Sequence, residues 1–177
     1  MASRREALVL VGAGVAAAVA GWYFGPKLQP DPGTAEVGAL LSVPLKDIEG
    51  RPHTIDKWSG RVLVCNFWAT WCVPCREEIP ALNRIHAKMS GSGVEIVGIA
   101  VDQRANVVEF LKIQPIAYPV VLGDSGLIDL MRRLGNKAGG LPFTVVLDRK
   151  GRLVERTLGV IAEAALEQRL STLIAQR

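Results

Sequence analysis

Cysteine occurs three times and histidine twice in this 177-residue chain, and those scarcities exclude a good deal. Three cysteines are too few for a disulfide-stapled scaffold. A four-ligand zinc site wants a second cysteine pair or two histidines at H-x₃₋₅-H spacing, and His53 and His86 lie far apart in sequence. A c-type haem attachment needs histidine directly after the second cysteine of a pair, and Arg76 stands there. Charge of one sign is also missing as a block. The net charge is +4 with signs interspersed, which reads as a soluble surface and not a nucleic-acid footprint. There are no internal repeats. With 49% hydrophobic residues, the chain is long enough for one well-cored domain and an extension.

The extension comes first. Arg4 and Arg5 precede an uncharged apolar run from Ala7 to Phe24 that closes on Trp22, Tyr23 and Phe24. About 18 residues of helix reach roughly 27 Å, just enough to cross a hydrocarbon core, and the aromatic trio suits the far interface. Positive residues before the run, and none after it until Lys27, put the N-terminus in the cytoplasm and the domain outside. Residues 1–24 are therefore expected to be a signal anchor. The alternative is a cleaved signal peptide, because Ala18-Val19-Ala20 fits the small-x-small cleavage pattern. Residues 25–37, rich in Pro and Gly, read as an extended tether, which leaves 38–177 for the domain.

Within the domain, Val43–Ile48 and Arg51–Ile55 around Glu49-Gly50 predict a short hairpin. Asp56 to Gly60 makes a single helical turn. Arg61–Trp68 is nearly all apolar, as a central strand buried on both faces should be. The helix after Cys72 carries Ile79, Leu82, Ile85 and Met89 at helical spacing, with Pro80 expected to kink it. A strand over 94–101, a helix over 106–113, a strand over 118–122 and a helix over 127–134 follow. A hairpin, Phe143–Asp148 with Leu153–Leu158, and a terminal helix over 162–174 complete the chain. This order predicts an α/β fold with a mixed sheet covered on both faces.

The chemistry concentrates in Trp68-Ala69-Thr70-Trp71-Cys72-Val73-Pro74-Cys75. Two cysteines two residues apart, at the start of a helix, form a redox couple with a physical logic. The first thiol sits at the positive end of the helix dipole, where free N–H groups favour a thiolate. The second lies one turn in. Pro74 removes an N–H that the first turn has no use for. A structural disulfide would close a long loop, where cross-linking removes most unfolded-state entropy. Closing two residues does little for stability, and redox chemistry is the reading left standing.

Asn66-Phe67-Trp68-Ala69-Thr70-Trp71-Cys72-Val73-Pro74-Cys75 resembles the active-site segment of TlpA/ResA-like membrane-anchored thiol-disulfide oxidoreductases of the thioredoxin superfamily. The resemblance runs over about residues 38–175. It implies a thioredoxin-like fold with an N-terminal β-hairpin and a central strand–helix insertion near 94–122. It also implies that Cys72 and Cys75 are the redox pair and that Pro142, in Gly140-Leu141-Pro142-Phe143-Thr144, is a cis-proline facing them. A cis bond there would turn the Leu141 backbone toward an extended client peptide. Glu78 matches an acid used near the thiols, and Asn66 stands where ordinary thioredoxins keep a buried aspartate. Each has a bland alternative, Pro142 as a strand start and Glu78 as an ordinary early-helix acid. Trp71, Val73 and Pro74 are expected to meet the client, while Cys65 is an inert buried thiol. Neither histidine is expected to have a catalytic duty.

The expected reaction is attack by the Cys72 thiolate on a client disulfide, followed by resolution of the adduct by Cys75. Lowering a thiol pKa from about 8.5 to about 7 raises the thiolate at pH 7 roughly fifteenfold but costs about fivefold in nucleophilicity, so positioning has to supply most of the acceleration. No cofactor is expected. The resemblance favours a reductant at a bacterial inner membrane, single-pass, its domain facing the periplasm or another extracytoplasmic space. Its electrons would come from a membrane thiol relay, and its client would be an apocytochrome c or a copper-site assembly protein. Two alternatives stay open: an oxidase or isomerase of the same fold, and a non-enzymatic module that binds Cu(I) through Cys72 and Cys75.

Overall fold

The computed structural model describes residues 33–176. The expected membrane segment, residues 7–24, lies outside them. Among the described residues no helix is long and apolar enough to cross a membrane.

Seven strands form one mixed sheet in the order β2-β1-β5-β4-β3-β6-β7. They are β1 (Leu45–Asp47), β2 (Pro52–His53), β3 (Val62–Trp68), β4 (Val94–Ala100), β5 (Val120–Leu122), β6 (Phe143–Leu147) and β7 (Leu153–Leu158). Strand β3 runs parallel to β4 and antiparallel to β6, and all seven of its residues are buried. Its alternation feeds two cores, because successive side chains of a strand point to opposite faces. Leu63, Cys65 and Phe67 join Val97, Ile99, Val145 and Leu147 under helices α1 (Thr34–Ser42) and α4 (Gly126–Arg133). Val62 and Val64 join Ile96 and Val146 under α2 (Val73–Met89) and α5 (Glu163–Ala175). Helix α3 (Arg104–Ile113) carries β4 over to β5, which pairs parallel with it.

Two local expectations shift, and a third element is completed by a contact from elsewhere in the chain. The chain is already helical at Thr34, where the Pro/Gly content predicts a tether to residue 37, because Val37 and Leu40, one turn apart, are buried in the core. The N-terminal hairpin is shorter than predicted, closed by an Asp47 carboxylate that accepts from the Glu49 and Arg51 N–H groups. Helix α2 continues as one element through Pro80. A proline leaves the carbonyl four residues back without its helical donor. Here that is the Arg76 carbonyl, and Gln114 Nε2 donates to it at 2.8 Å.

Candidate active site

Strand β3 delivers the chain to Cys72 at the N-cap of α2, with Pro74 in the first turn. Cys72 and Cys75 are joined in a disulfide with an S–S distance of 2.04 Å and Cα atoms 5.3 Å apart. The Cys75 N–H points at Cys72 Sγ, at 3.3 Å. A cap sulfur thus takes one of the four N–H groups that a helix start leaves unpaired. The two sulfurs differ in access: Cys72 keeps 5% of its surface and Cys75 none. An incoming sulfur therefore meets Cys72, and Cys75 works only on its neighbour.

The turn before Cys72 is fixed from the neighbouring strand. Asp102, just past the end of β4, accepts on Oδ2 from the Thr70 N–H and hydroxyl, and on Oδ1 from the Gln103 N–H and Asn106 Nδ2. Burial pushes its carboxyl up, but the hydrogen bonds from Thr70, Asn106 and Gln103 outweigh that and hold it below the ordinary carboxylate range. Nothing in the local sequence singles out Asp102, since its partner lies 32 residues away.

Glu78 is on the same helix, one turn beyond Cys75, and is buried. Its Oε1 accepts from Asn66 Nδ2 at 2.7 Å and its Oε2 from the Ile161 N–H at 3.1 Å. Asn66 donates also to Thr144 Oγ1. Burial raises the Glu78 carboxyl above its usual value despite those two donors. Tyr118, buried as well, is pushed upward by desolvation and by the Glu78 charge. Asn66 thus proves to be the partner that orients the acid.

The Leu141–Pro142 bond is cis. Asn136 grips this loop from behind, donating to the Gly140 carbonyl at 2.7 Å and accepting from the Gly140 N–H. Pro142 in turn accepts from the Gly159 N–H at 2.8 Å. Leu141 packs on the small cluster that contains both cysteines, Trp68 and Ile79.

Exposed apolar side chains gather around these parts. Trp71 and Val73 flank Cys72, 66% and 52% exposed. Ile113 shares a groove with Val73. Ile128 and Leu158 lie close to Gly139 and Gly140 of the proline loop, and exposed Val160 follows Gly159. Cys65 is elsewhere, fully buried in β3, its thiol pushed up to about 12 by desolvation. His53 pairs with Asp47, and His86 with Glu95.

The geometry is that of a dithiol made for exchange, and the comparisons agree with it. The Redoxin family model matches residues 33–170. The chain belongs to the Redoxin family. This redoxin is 32% identical over 123 residues to the thiol-disulfide oxidoreductase ResA of Bacillus cereus, covering 68% of each chain. Among solved structures it is similar to a thioredoxin-related protein from Neisseria meningitidis serogroup B, with a TM-score of 0.67, 32% identity and coverage of 75% of this chain and 99% of that one. It is similar also to a putative thiol:disulfide interchange protein DsbE from Chlorobium tepidum, with a TM-score of 0.69 and 27% identity, covering 77% and 95%. The redoxin is a TlpA/ResA-like thiol-disulfide oxidoreductase with the thioredoxin-like fold.

Its chemistry follows from the two sulfurs. In the reductive direction the Cys72 thiolate attacks one sulfur of a client disulfide, and the other client sulfur leaves as thiolate. Cys75, losing its proton, attacks Cys72. The client's first sulfur leaves as the second thiol, and the Cys72–Cys75 disulfide remains. Two electrons pass from protein to client.

Proposed function

We propose that this protein is a membrane-tethered reductase of disulfides outside the cytoplasm. The observation that carries the direction is Glu78, buried one turn past Cys75 and hydrogen-bonded to an amide side chain and a backbone N–H. A disulfide is strongly oxidising when its reduced form is stabilised, as a low-pKa thiolate is. A carboxyl held in the interior one turn past Cys75 opposes that thiolate charge whenever it ionises, so the reduced state gains little and the couple stays reducing. Residues 7–24, with Arg4 and Arg5 ahead of them, support an anchor in a bacterial inner membrane with the domain on the periplasmic face. In an oxidising space such a reductant needs an electron supply, which points to a membrane thiol relay upstream. The resemblance to TlpA/ResA-like proteins supports an apocytochrome c or a copper-site assembly protein as the client, and tethering raises the effective concentration near both partners.

The test is the reduction potential of the Cys72–Cys75 couple in the full chain, by equilibration with glutathione or dithiothreitol. A value below about −230 mV is expected, and a value near −120 mV would make the protein an oxidant instead.

A further inference from the structure

Helices α2 and α3 leave a groove of about 440 Å³ between them, lined by Val73, Arg76, Glu77, Phe110, Ile113 and Gln114. It starts at the disulfide, because Val73 is the residue after Cys72. Its floor is Phe110, which packs on the buried Trp68 with ring centroids 5.4 Å apart. Its far wall is Ile113, at 84% exposure the most open of the large apolar side chains among the described residues. A single exposed isoleucine is ordinary. Two aliphatic walls facing one hollow beside a reacting sulfur are not.

The hollow is preformed. Pro80 frees the Arg76 carbonyl for Gln114 Nε2, Asn83 Nδ2 donates to the Pro115 carbonyl at 3.0 Å, and the Ala117 N–H donates to Asn83 Oδ1 at 2.8 Å. These bonds tie the chain that ends α3 to α2, so a ligand need not pay to open the groove. Arg76 and Glu77 carry opposite charges on the rim, and neither makes an ion pair among the described residues. One charge of each sign gives no net electrostatic preference, which leaves the apolar walls to select.

We propose that this groove is a subsite for an apolar side chain of the client, two residues from the client's reacting cysteine in an extended segment. Alternate residues of an extended strand face the same way about 7 Å apart, so a client segment that leaves Cys72 toward α3 brings its second neighbour over the first turn of α2, where Val73 opens the groove. The proposal rests on the reading of Cys72 and Cys75 as a pair that exchanges with protein disulfides.

The experiment uses the reduced full chain and two nine-residue peptides, each a disulfide-linked dimer through a central cysteine. One has leucine two residues to either side of the cysteine; the other has serine there, with glycine and serine elsewhere in both. The Leu dimer is expected to be reduced about tenfold faster than the Ser dimer, the order of effect of burying one such side chain. In Ile113→Ser the ratio should fall below about twofold. Equal rates for the two dimers in the wild type, or an undiminished ratio in Ile113→Ser, overturn the subsite while exchange itself stands. If the wild type reduces neither dimer nor hydroxyethyl disulfide, the exchange reading falls and the subsite falls with it.

Discussion

Thr70 donates its backbone N–H, at 2.9 Å, and its hydroxyl to the same carboxylate oxygen of Asp102. Two residues later comes the attacking sulfur, so this contact sets where Cys72 stands relative to α3 and the groove. Asp102→Ala removes both bonds. Exchange with a small disulfide should slow about tenfold, and urea unfolding should show a loss of about 1–3 kcal/mol, the usual result of stranding a hydrogen-bond donor. Asp102→Asn keeps an acceptor oxygen and should recover most of the rate. The wild-type carboxyl is held low, so what it contributes is present above about pH 4 and fades as pH falls through its depressed pKa. In the alanine variant that acid-side loss should be gone.

Glu78 works with the opposite sign. Its carboxyl binds its proton more tightly in the folded protein than in the unfolded one. Above about pH 4.3 the unfolded chain releases that proton first, and stability therefore falls as pH rises toward the folded pKa. Glu78→Gln should flatten that fall in a series of urea titrations. It should also move the midpoint for alkylation of the reduced thiols to lower pH, because an ionised carboxylate no longer opposes the thiolate. An unmoved midpoint would leave Glu78 a purely structural acid.

The unequal exposure of the two cysteines makes their variants unequal. Cys72→Ser should abolish exchange. Cys75→Ser should attack a client and stall, accumulating a dithiothreitol-sensitive adduct on non-reducing gels of the membrane fraction. No adduct in that variant would remove the support for a protein client.

Cys65 is buried with its thiol raised to about 12, so it stays protonated and unreactive across the physiological range. Cys65→Ala should leave the exchange rate unchanged and cost about 1 kcal/mol for the small cavity. Alkylation of the folded, oxidised protein should leave this thiol unlabelled.

Leu40 tests whether α1 belongs to the domain. It is fully buried with Val37 against the α4 side of the sheet. Leu40→Ala should cost about 2–5 kcal/mol by urea unfolding. A helix that did not pack on the sheet would lose almost nothing.

The element order was legible because the domain's buried strands and amphipathic helices keep their periods. Val62–Trp68 reads as a strand buried on both faces, and Cys72-Val73-Pro74-Cys75 as the start of a helix with Pro74 in its first turn. Helix α1 was obscured by its setting. Thr34–Ser42 follows a Pro- and Gly-rich stretch, contains Gly38, and owes its helicity to the burial of Val37 and Leu40. The pairs that finish the site join residues far apart in sequence: Thr70 with Asp102, Asn66 with Thr144, Gln114 with Arg76. Periodicity reports which face a residue occupies, and it cannot report which loop from another strand arrives beside it. Pro80 shows the limit well. The missing N–H was readable, and the side chain that came to satisfy the freed carbonyl was not.

Since Cys72 keeps 5% of its surface and Cys75 none, loading and unloading of electrons go through a single doorway at Cys72. Whatever recharges the protein and whatever it discharges into must take turns there, each leaving before the other docks. Turnover then follows a ping-pong course, and a large excess of either visitor slows the cycle by crowding out the other.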